Sequence, residues 1–259
     1  MTMSSFPAVL RSEWTKIRTV ASTSWTLATA FLITVAIGAG LCAAVNATFE
    51  DLPKDQQVTF DATQMSFSGM LLGQLAMLVF GAMVVGSEYS TGMIRTSLAA
   101  VPRRGSLLLG KVTAATALAL VVGLATGFVS FFLGQAILGD HSIGLGGENV
   151  LRAVIGVGLY MALLALFAIG ASMMLRNTAA SIAILITFVL ILPIVLSVVD
   201  ATRKIAYYLP SQSGAAIMQT VPAGSSDAPY GPWGGLGIMA LWALAAVLGG
   251  YLVLNKRDA

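Results

Sequence analysis

Six long apolar stretches limit what this chain of 259 residues can fold into. Each is long enough, at roughly 20 apolar residues, to cross a lipid bilayer as an α-helix. None of them alternates apolar and polar residues as the strand of a membrane barrel would. The sequence therefore predicts an all-α polytopic membrane protein, with six transmembrane helices in a single domain, 1–259. The predicted spans are residues 22–45, 66–86, 106–138, 150–175, 179–199 and 233–254.

The composition agrees with a membrane protein and excludes an ordinary soluble domain. Hydrophobic residues make up 57% of the chain and charged residues only 10%, whereas a soluble domain averages about 25% charged residues. The net charge is +3, but no basic face or nucleic-acid-binding motif accompanies it. We therefore expect membrane lipids, and no nucleic acid, among its partners. The one cysteine, Cys42, cannot form an internal disulfide and supplies no metal set.

The distribution of basic residues predicts that both termini are cytoplasmic. Lys and Arg residues near the ends of spans are retained on the cytoplasmic side of a membrane. With the N-terminus inside, ten of the 14 Lys and Arg residues fall in inner segments, and eight of the 11 acidic residues fall in outer ones. Residues 87–105 then form a cytoplasmic loop and residues 200–232 an outer loop. The excess of Arg over Lys and the high Ala, Gly and Val content favour a high-GC, actinobacterial source and a bacterial plasma membrane.

Two regions outside the spans are also predicted to lie at the membrane surface. Residues 4–21 place Phe6, Trp14 and other apolar residues at helical spacing, with basic residues mostly off that stripe. They predict an interfacial amphipathic helix, and a topogenic flank is the alternative. In the outer loop, residues 205–210 and 215–218 are too apolar for a free loop and too short to span. They predict re-entrant or interfacial half-helices before the last span, or else a loop packed on the ends of the spans.

The segment from Gly105 to Lys111 matches the phosphate-loop pattern but is predicted not to bind a nucleotide. Val112 stands where a Ser or Thr would bind Mg²⁺. The middle of the segment is the start of a membrane helix, whereas a phosphate loop needs exposed backbone N–H groups. We therefore expect no catalytic, cofactor or metal site on this chain.

The predicted spans contain almost no ionisable residue, which argues against an ion-coupled carrier. Lys111 and Arg152 lie near span ends, where their side chains can snorkel to the surface. Glycines spaced four apart let helices approach closely, either within a chain or between two copies, and a proline kinks a helix. The candidates for a substrate path or a contact between two copies are Gly69, Gly73, Gln74, Met77, Thr126 and Pro193.

A polar, basic interval follows the second predicted span, and it carries the most informative residues of the chain. They are Gly86, Glu88, Tyr89, Gly92, Arg95, Pro102, Arg103, Arg104, Gly110 and Lys111. Together with the opening segment from Arg11 to Arg18, this interval resembles the permease subunits of type-2 ATP-binding-cassette (ABC) exporters. The six-span layout with both ends inside is similar to theirs as well, so the resemblance covers nearly the whole chain.

The resemblance implies that the interval forms a short coupling helix, which docks on a separate ATPase subunit that holds ATP and Mg. The opening helix would contact the same subunit, and a second permease copy, identical or a paralogue, would complete the transporter. Charged groups on a short rigid element can pass a partner's motion to the spans. The positive-inside bias alone explains Arg103, Arg104 and Lys111 almost as well, but it does not explain Glu88. The implied ATPase-interface residues are Glu88, Tyr89, Arg95, Arg103, Arg104, Arg11, Glu13 and Lys16.

The resulting expectation is a permease subunit that is not catalytic alone and that exports a hydrophobic or amphipathic substrate, such as a drug-like natural product, peptide or lipid. The alternative is a membrane anchor or signalling protein that recruits a cytoplasmic partner without transport. An ion-coupled secondary carrier is the third hypothesis, which the lack of intramembrane charge disfavours.

Overall fold

A computed structural model describes residues 6–100, 104–220 and 228–256. All regular secondary structure within these ranges is helical, as the apolar runs predict. The first helices are α1 (Phe6–Thr19), α2 (Ala21–Thr48), α3 (Lys54–Val58), α4 (Ala62–Ser66), α5 (Met70–Ser90), α6 (Met93–Ala100) and α7 (Arg104–Leu138). They are followed by α8 (Val150–Leu175), α9 (Thr178–Ile186), α10 (Leu192–Val198), α11 (Asp200–Tyr207), α12 (Pro210–Ala215) and α13 (Pro232–Lys256).

Six helical segments of the described residues are long and apolar enough to cross a membrane. They are Ala21–Asp51, Met70–Ser90, Arg104–His141, Val150–Leu175, Thr178–Val198 and Pro232–Lys256. The predicted all-α class and the predicted number of spans are therefore confirmed. The orientation of the six helices in a membrane stays a prediction from the basic residues.

The second span begins and ends four residues later than the apolar run indicates, at Met70 and Ser90 instead of 66 and 86. Its last turn is polar but remains helical, because the polar side chains there are bonded to backbone carbonyls or belong to a buried ion pair. Ser87 Oγ, for example, donates to the carbonyl of Met83 at 2.6 Å. Glu88 is paired with lysines from two other helices.

Helix α8 lies at the centre of the bundle and packs against α5, α7 and α13. Its side chains Tyr160, Leu164 and Ile169 are almost completely buried. Small residues set its closest approach to its neighbours. A Cβ atom on Gly170 would lie only 2.4 Å from a backbone carbon of Ala246 in α13, so no larger residue fits there without a shift of the helices.

The fifth span is broken near its middle. A π-helical turn, Thr187–Ile191, separates α9 from α10, and Pro193 occupies the first turn of α10. Proline has no N–H to donate to the carbonyl four residues earlier, which here belongs to Val189. The hydroxyl of Ser211 in α12 donates to that carbonyl instead, at 2.7 Å. The break therefore comes with a replacement donor from the short helix beside it.

The predicted surface segments are mostly helical where the structure describes them, with breaks at Val20 and at Tyr208 and Leu209. In α1, Val9 and Ile17 face the protein interior, whereas Phe6 and Trp14 remain 45% exposed. Some apolar residues of this helix therefore pack against the protein, and others face its surroundings. Beyond the fifth span, α11 and α12 form two short helices, and α12 packs against α13. Whether these helices are re-entrant stays a prediction.

Candidate functional site

Two acidic and two basic side chains form a closed ion-pair cluster at one end of the bundle: Glu13, Lys16, Glu88 and Lys111. Lys111 Nζ lies 2.7 Å from Glu13 Oε2 and 2.8 Å from Glu88 Oε1. Lys16 Nζ lies 2.6 Å from Glu13 Oε1 and 2.8 Å from Glu88 Oε1. Each lysine therefore bridges both glutamates, and the four formal charges sum to zero.

The cluster is buried, with Glu13 at 1%, Lys111 at 3% and Glu88 at 5% exposure. A buried charge is tolerated only when it is paired and hydrogen-bonded, and the ring of bonds meets that condition. Lys16 is half-buried, so one edge of the cluster reaches the surface. The second oxygen of Glu88 has no hydrogen-bond partner among the described residues, and Glu88 is one of the residues that line a cavity of about 250 Å³ with room for water.

Three helices are joined by the cluster, because α1 supplies Glu13 and Lys16, α5 supplies Glu88 and α7 supplies Lys111. The two α1 residues are three positions apart, so they lie on one face of that helix. Gly110 lets α7 come close to α1, since a Cβ atom there would lie 2.8 Å from Val9 Cγ1. The acids are thus brought to Lys111 by ordinary helix geometry and one small residue.

The cluster also contacts α6, the helix that follows the second span. Lys16 Nζ donates to Ser97 Oγ at 3.1 Å. The chain turns from α5 into α6 at Gly92, whose φ of 72° is a left-handed conformation that glycine adopts without strain. A short helix, α6, therefore lies in the interval for which the resemblance implies a coupling helix, and it is bonded directly to the opening helix.

A second group of contacts, at the same side of the bundle as the cluster, stabilises the last turn of α13. Arg104 donates to the backbone carbonyls of Leu254 and Asn255, and Arg176 donates to the carbonyl of Val253 at 3.0 Å. Unpaired carbonyls at a helix C-terminus carry partial negative charge, so arginines are favourable partners there. The two arginines hold α13 against the start of α7 and the end of α8.

The ring of Tyr89 joins this group, because the guanidinium of Arg176 lies 5.5 Å from the ring centroid. The contact is of the cation–π type, in which the aromatic face attracts a positive charge. Tyr89 and Glu88 are consecutive residues of α5, so the end of this one helix contacts both the ion-pair cluster and the arginines around α13.

The implied ATPase-interface residues thus lie in different surroundings, and Lys16, Tyr89 and Arg104 take part in the contacts described above. Glu13 and Glu88 point inward and are bonded to lysines, so neither carboxylate lies on the outer surface of this chain. Arg11 and Arg95 are exposed. Arg103 lies outside the described residues.

The structure replaces the predicted snorkelling of Lys111 with a buried ion pair. One signal in the sequence points to that pairing. Glu13 and Glu88 are two of only three acids on the predicted cytoplasmic side, among ten basic residues. An acid that the positive-inside bias does not explain needs another role, and pairing with a nearby lysine is the simplest one.

The candidates for a substrate path occupy three different environments. Gln74 and Pro193 line one cavity of about 200 Å³, and Gln74 accepts a hydrogen bond from the Tyr160 hydroxyl at 2.6 Å. Met77 and Thr126 are fully buried within the chain.

Gly69 and Gly73 face α2 of the same chain. A Cβ atom on either glycine would lie within about 2 Å of an oxygen of Thr34. The close approach that these glycines permit is therefore made within one chain.

Among the described residues, no group of three or more His, Cys, Asp or Glu side chains is placed to hold a metal ion. A model of the family described as ABC-2 family transporter protein matches residues 9–202. A search of curated proteins gave no match. The matched region contains the whole ion-pair cluster, α6 and the broken fifth span, and it is well over half of the chain. The resemblance in the sequence is thereby confirmed, and the chain belongs to the ABC-2 family of transporter proteins.

Proposed function

We propose that this chain is the permease subunit of an ATP-driven ABC exporter. It would form the transmembrane path for a hydrophobic or amphipathic substrate, while a separate ATPase subunit binds ATP and Mg. The observation that carries the proposal is the buried ion-pair cluster, because it bonds α6 to three other helices at one end of the bundle. Membership of the ABC-2 family supports the same reading.

The cluster provides a route by which a push on α6 reaches the spans. Lys16 is bonded to Ser97 of α6 and also to both glutamates. Displacing α6 must therefore either break the charge-assisted bond from Lys16 to Ser97 or carry α1 along, and the bond of Lys16 to Glu88 in turn connects α1 to α5. Packed helices respond to such a force by moving as rigid bodies. In this mechanism Glu13 and Glu88 are positioning residues, and they do not touch the ATPase.

The surface offered to the ATPase is basic. At this end of the bundle Arg11, Arg18 and Arg95 are exposed, whereas the acids that the structure describes there, Glu13 and Glu88, are buried. Complementary charge steers partners together and fixes their orientation. The ATPase surface that fits this face is therefore acidic.

The remaining parts of the proposal follow the predicted topology. The end with the cluster faces the cytoplasm of a bacterial cell, and the protein lies in the plasma membrane. A second permease copy, identical or a paralogue, completes the transporter, because the path for a substrate would lie between two such bundles.

The test is to purify the tagged chain from its native membranes in mild detergent and to measure ATP hydrolysis by what is retained with it. We expect an ATPase to be retained, and its activity to rise with an exported amphiphile. Arg95→Glu should weaken retention, whereas Lys54→Glu, the same charge reversal at the other end of the bundle, should not. The proposal is refuted if no ATPase accompanies the chain, or if transport into vesicles proceeds without ATP. A retained partner without any transport would favour the anchoring role.

A further inference from the structure

A cavity of about 200 Å³ lies where α5, α8, the broken fifth span and α12 meet. Its wall contains the polar side chains Gln74, Tyr160, Ser211 and Gln212. At its rim Leu71 and Ile194 are 57% and 55% exposed, so the cavity opens to the surroundings of the helices. We call it the polar cavity.

Irregular backbone shapes this cavity. The π-helical turn contributes Val189 and Leu190 to the wall, and Pro193 follows in the next turn. A π turn within an α-helix is frequently found at a functional site. Non-helical backbone at membrane depth is tolerated where it lines a cavity. Here the freed carbonyl is also satisfied by Ser211, so the break is stable and leaves room beside it.

The chemistry of the wall is polar but uncharged. Gln74 Oε1 accepts the proton of the Tyr160 hydroxyl, which leaves the hydroxyl oxygen able to accept another bond. Gln74 Nε2 donates one proton to the carbonyl of Leu71 at 3.2 Å, and its second proton has no bonding partner among the described residues. Gln212 is exposed at the mouth. Within the described ranges, no Asp, Glu, Lys, Arg or His lines the cavity.

An ion that enters such a site loses water and gains no opposite charge, which is strongly unfavourable. A hydroxyl, carbonyl or amide group can instead exchange its bonds to water for bonds to Gln74 and Tyr160. The apolar rim at Leu71 and Ile194 suits an alkyl or ring body that stays in the membrane. Sites for small molecules commonly combine an apolar wall with a few convergent polar groups.

We propose that the polar cavity binds amphipathic molecules through an uncharged hydrogen-bonding group, and that it rejects charged headgroups. The inference rests on the proposed export function and names its substrate class as neutral amphiphiles. Helix α5 also connects the cavity to the end of the bundle that carries the ion-pair cluster. Gln74 and Glu88 lie on the same helix, α5, about 21 Å apart along its axis, so a bound molecule and the ion-pair cluster act on one rigid element.

The experiment measures protection of a cysteine at the cavity mouth in liposomes that contain the purified chain. The background is Cys42→Ser, which removes the one native cysteine. Gln212→Cys then reports the cavity, and Val198→Cys, 76% exposed and outside the cavity lining, is the matched control. The probes are 1-decanol, decane, decyl sulfate and decyltrimethylammonium at equal content in the membrane. The readout is the rate of labelling by N-ethylmaleimide.

We expect decanol to slow labelling of Gln212→Cys about threefold to tenfold relative to decane, the ratio that one net hydrogen bond supplies. The two charged probes should have no greater effect than decane, and the control should respond equally to all four. Protection by a charged probe, or equal protection by decanol at the control site, would overturn the proposal.

Two further variants test the wall itself. Gln74→Leu with Tyr160→Phe removes both members of a bonded pair, so neither is left unsatisfied, and it should abolish the difference between decanol and decane. Ala215→Phe fills the cavity and should abolish protection with the polar pair intact. Persistent decanol protection in both variants would refute the site. The assay needs no ATPase, so a chain that retains an ATPase but shows no protection loses this inference and keeps the export function.

Discussion

Replacing Glu88 and Lys111 singly and together tests whether the ion-pair cluster holds α1, α5 and α7 together as one unit. Glu88→Gln removes one negative charge without changing the shape of the side chain. Lys111→Met removes the buried positive charge and leaves an apolar stem of similar length. The double variant removes one charge of each sign, so Glu13 and Lys16 remain as a balanced pair at 2.6 Å.

The expected costs follow from the burial of each bond. The bond from Lys111 to Glu88 joins two nearly buried groups at 2.8 Å, and such a charge-assisted bond is worth about 1.5–3 kcal/mol. The bond from Lys16 is partly screened because that side chain is 28% exposed, so it adds about 0.2–1 kcal/mol. Glu88→Gln should therefore lower the free energy of unfolding by about 2–3 kcal/mol, since the amide oxygen still accepts a weaker bond.

Lys111→Met should be more damaging. It leaves two buried carboxylates that share only Lys16, and an uncompensated buried charge costs about 3–5 kcal/mol. In the double variant the uncompensated buried charge disappears. We therefore expect the double variant to be more stable than the sum of the two single costs predicts, with a coupling energy of about 2 kcal/mol.

The chain carries its own probe for the assay, because its one cysteine, Cys42, is fully buried. A thiol-reactive fluorophore added to the detergent-solubilised protein reports unfolding as Cys42 becomes accessible. Arg18→Gln is the control, since this exposed arginine of α1 is outside the cluster, and it should change stability by less than about 0.5 kcal/mol. Strictly additive costs, or single variants as stable as the control, would refute the reasoning.

Three further changes have defined outcomes in the same unfolding assay. Burial of the Lys16 ammonium disfavours its charged form, but bonds to the two glutamates outweigh this and raise the pKa of Lys16. The stability that the charged Lys16 contributes is therefore complete below the ordinary lysine pKa of 10.5. It is lost as the pH rises through the higher folded-state pKa. The deficit of Lys16→Gln should therefore stay constant from pH 7 to about pH 10 and shrink only above it. Ser211→Ala leaves a buried carbonyl without its donor and should cost about 1–3 kcal/mol, whereas Ser213→Ala should cost less, because that hydroxyl bonds a carbonyl that already accepts an N–H within its own helix. Gly170→Ala meets the backbone of α13 and should cost about 1–3 kcal/mol, whereas Gly237→Ala meets nothing within 4 Å and should leave stability equal or slightly higher.

The spans were predictable because hydrophobicity over some twenty residues is a local property of the sequence. The break in the fifth span was predictable in the same way, since Pro193 cannot donate a backbone bond. What Pro193 alone does not reveal is the donor that replaces it. Ser211 lies between the two apolar segments of the predicted outer loop, and its bond to Val189 appears only when α12 folds back on the span.

The ion-pair cluster was visible only in part, because its members are far apart in sequence. Glu13 and Lys111 are separated by 98 positions, and Lys111 on its own looks like a residue that snorkels from a span end. The polar residues after Gly86 likewise look like the end of a helix, although α5 continues to Ser90. A charge at membrane depth is tolerated only through its partners, and those partners are a property of the fold.

Helix α5 is the element on which both proposals depend, and its packing shows how it can move. Met77 and Phe80 are fully buried, and a Cβ atom on Gly81 would lie 2.6 Å from the Cβ of Ala168 in α8. Such close packing transmits strain and does not deform smoothly. A displacement of α6 should therefore move α5 and α8 together as one body. The break at Thr187–Ile191 lies in the span that follows α8, so we expect the rest of the bundle to bend there while this body moves. The polar cavity lies between these two parts, and its width should change with each coupling step.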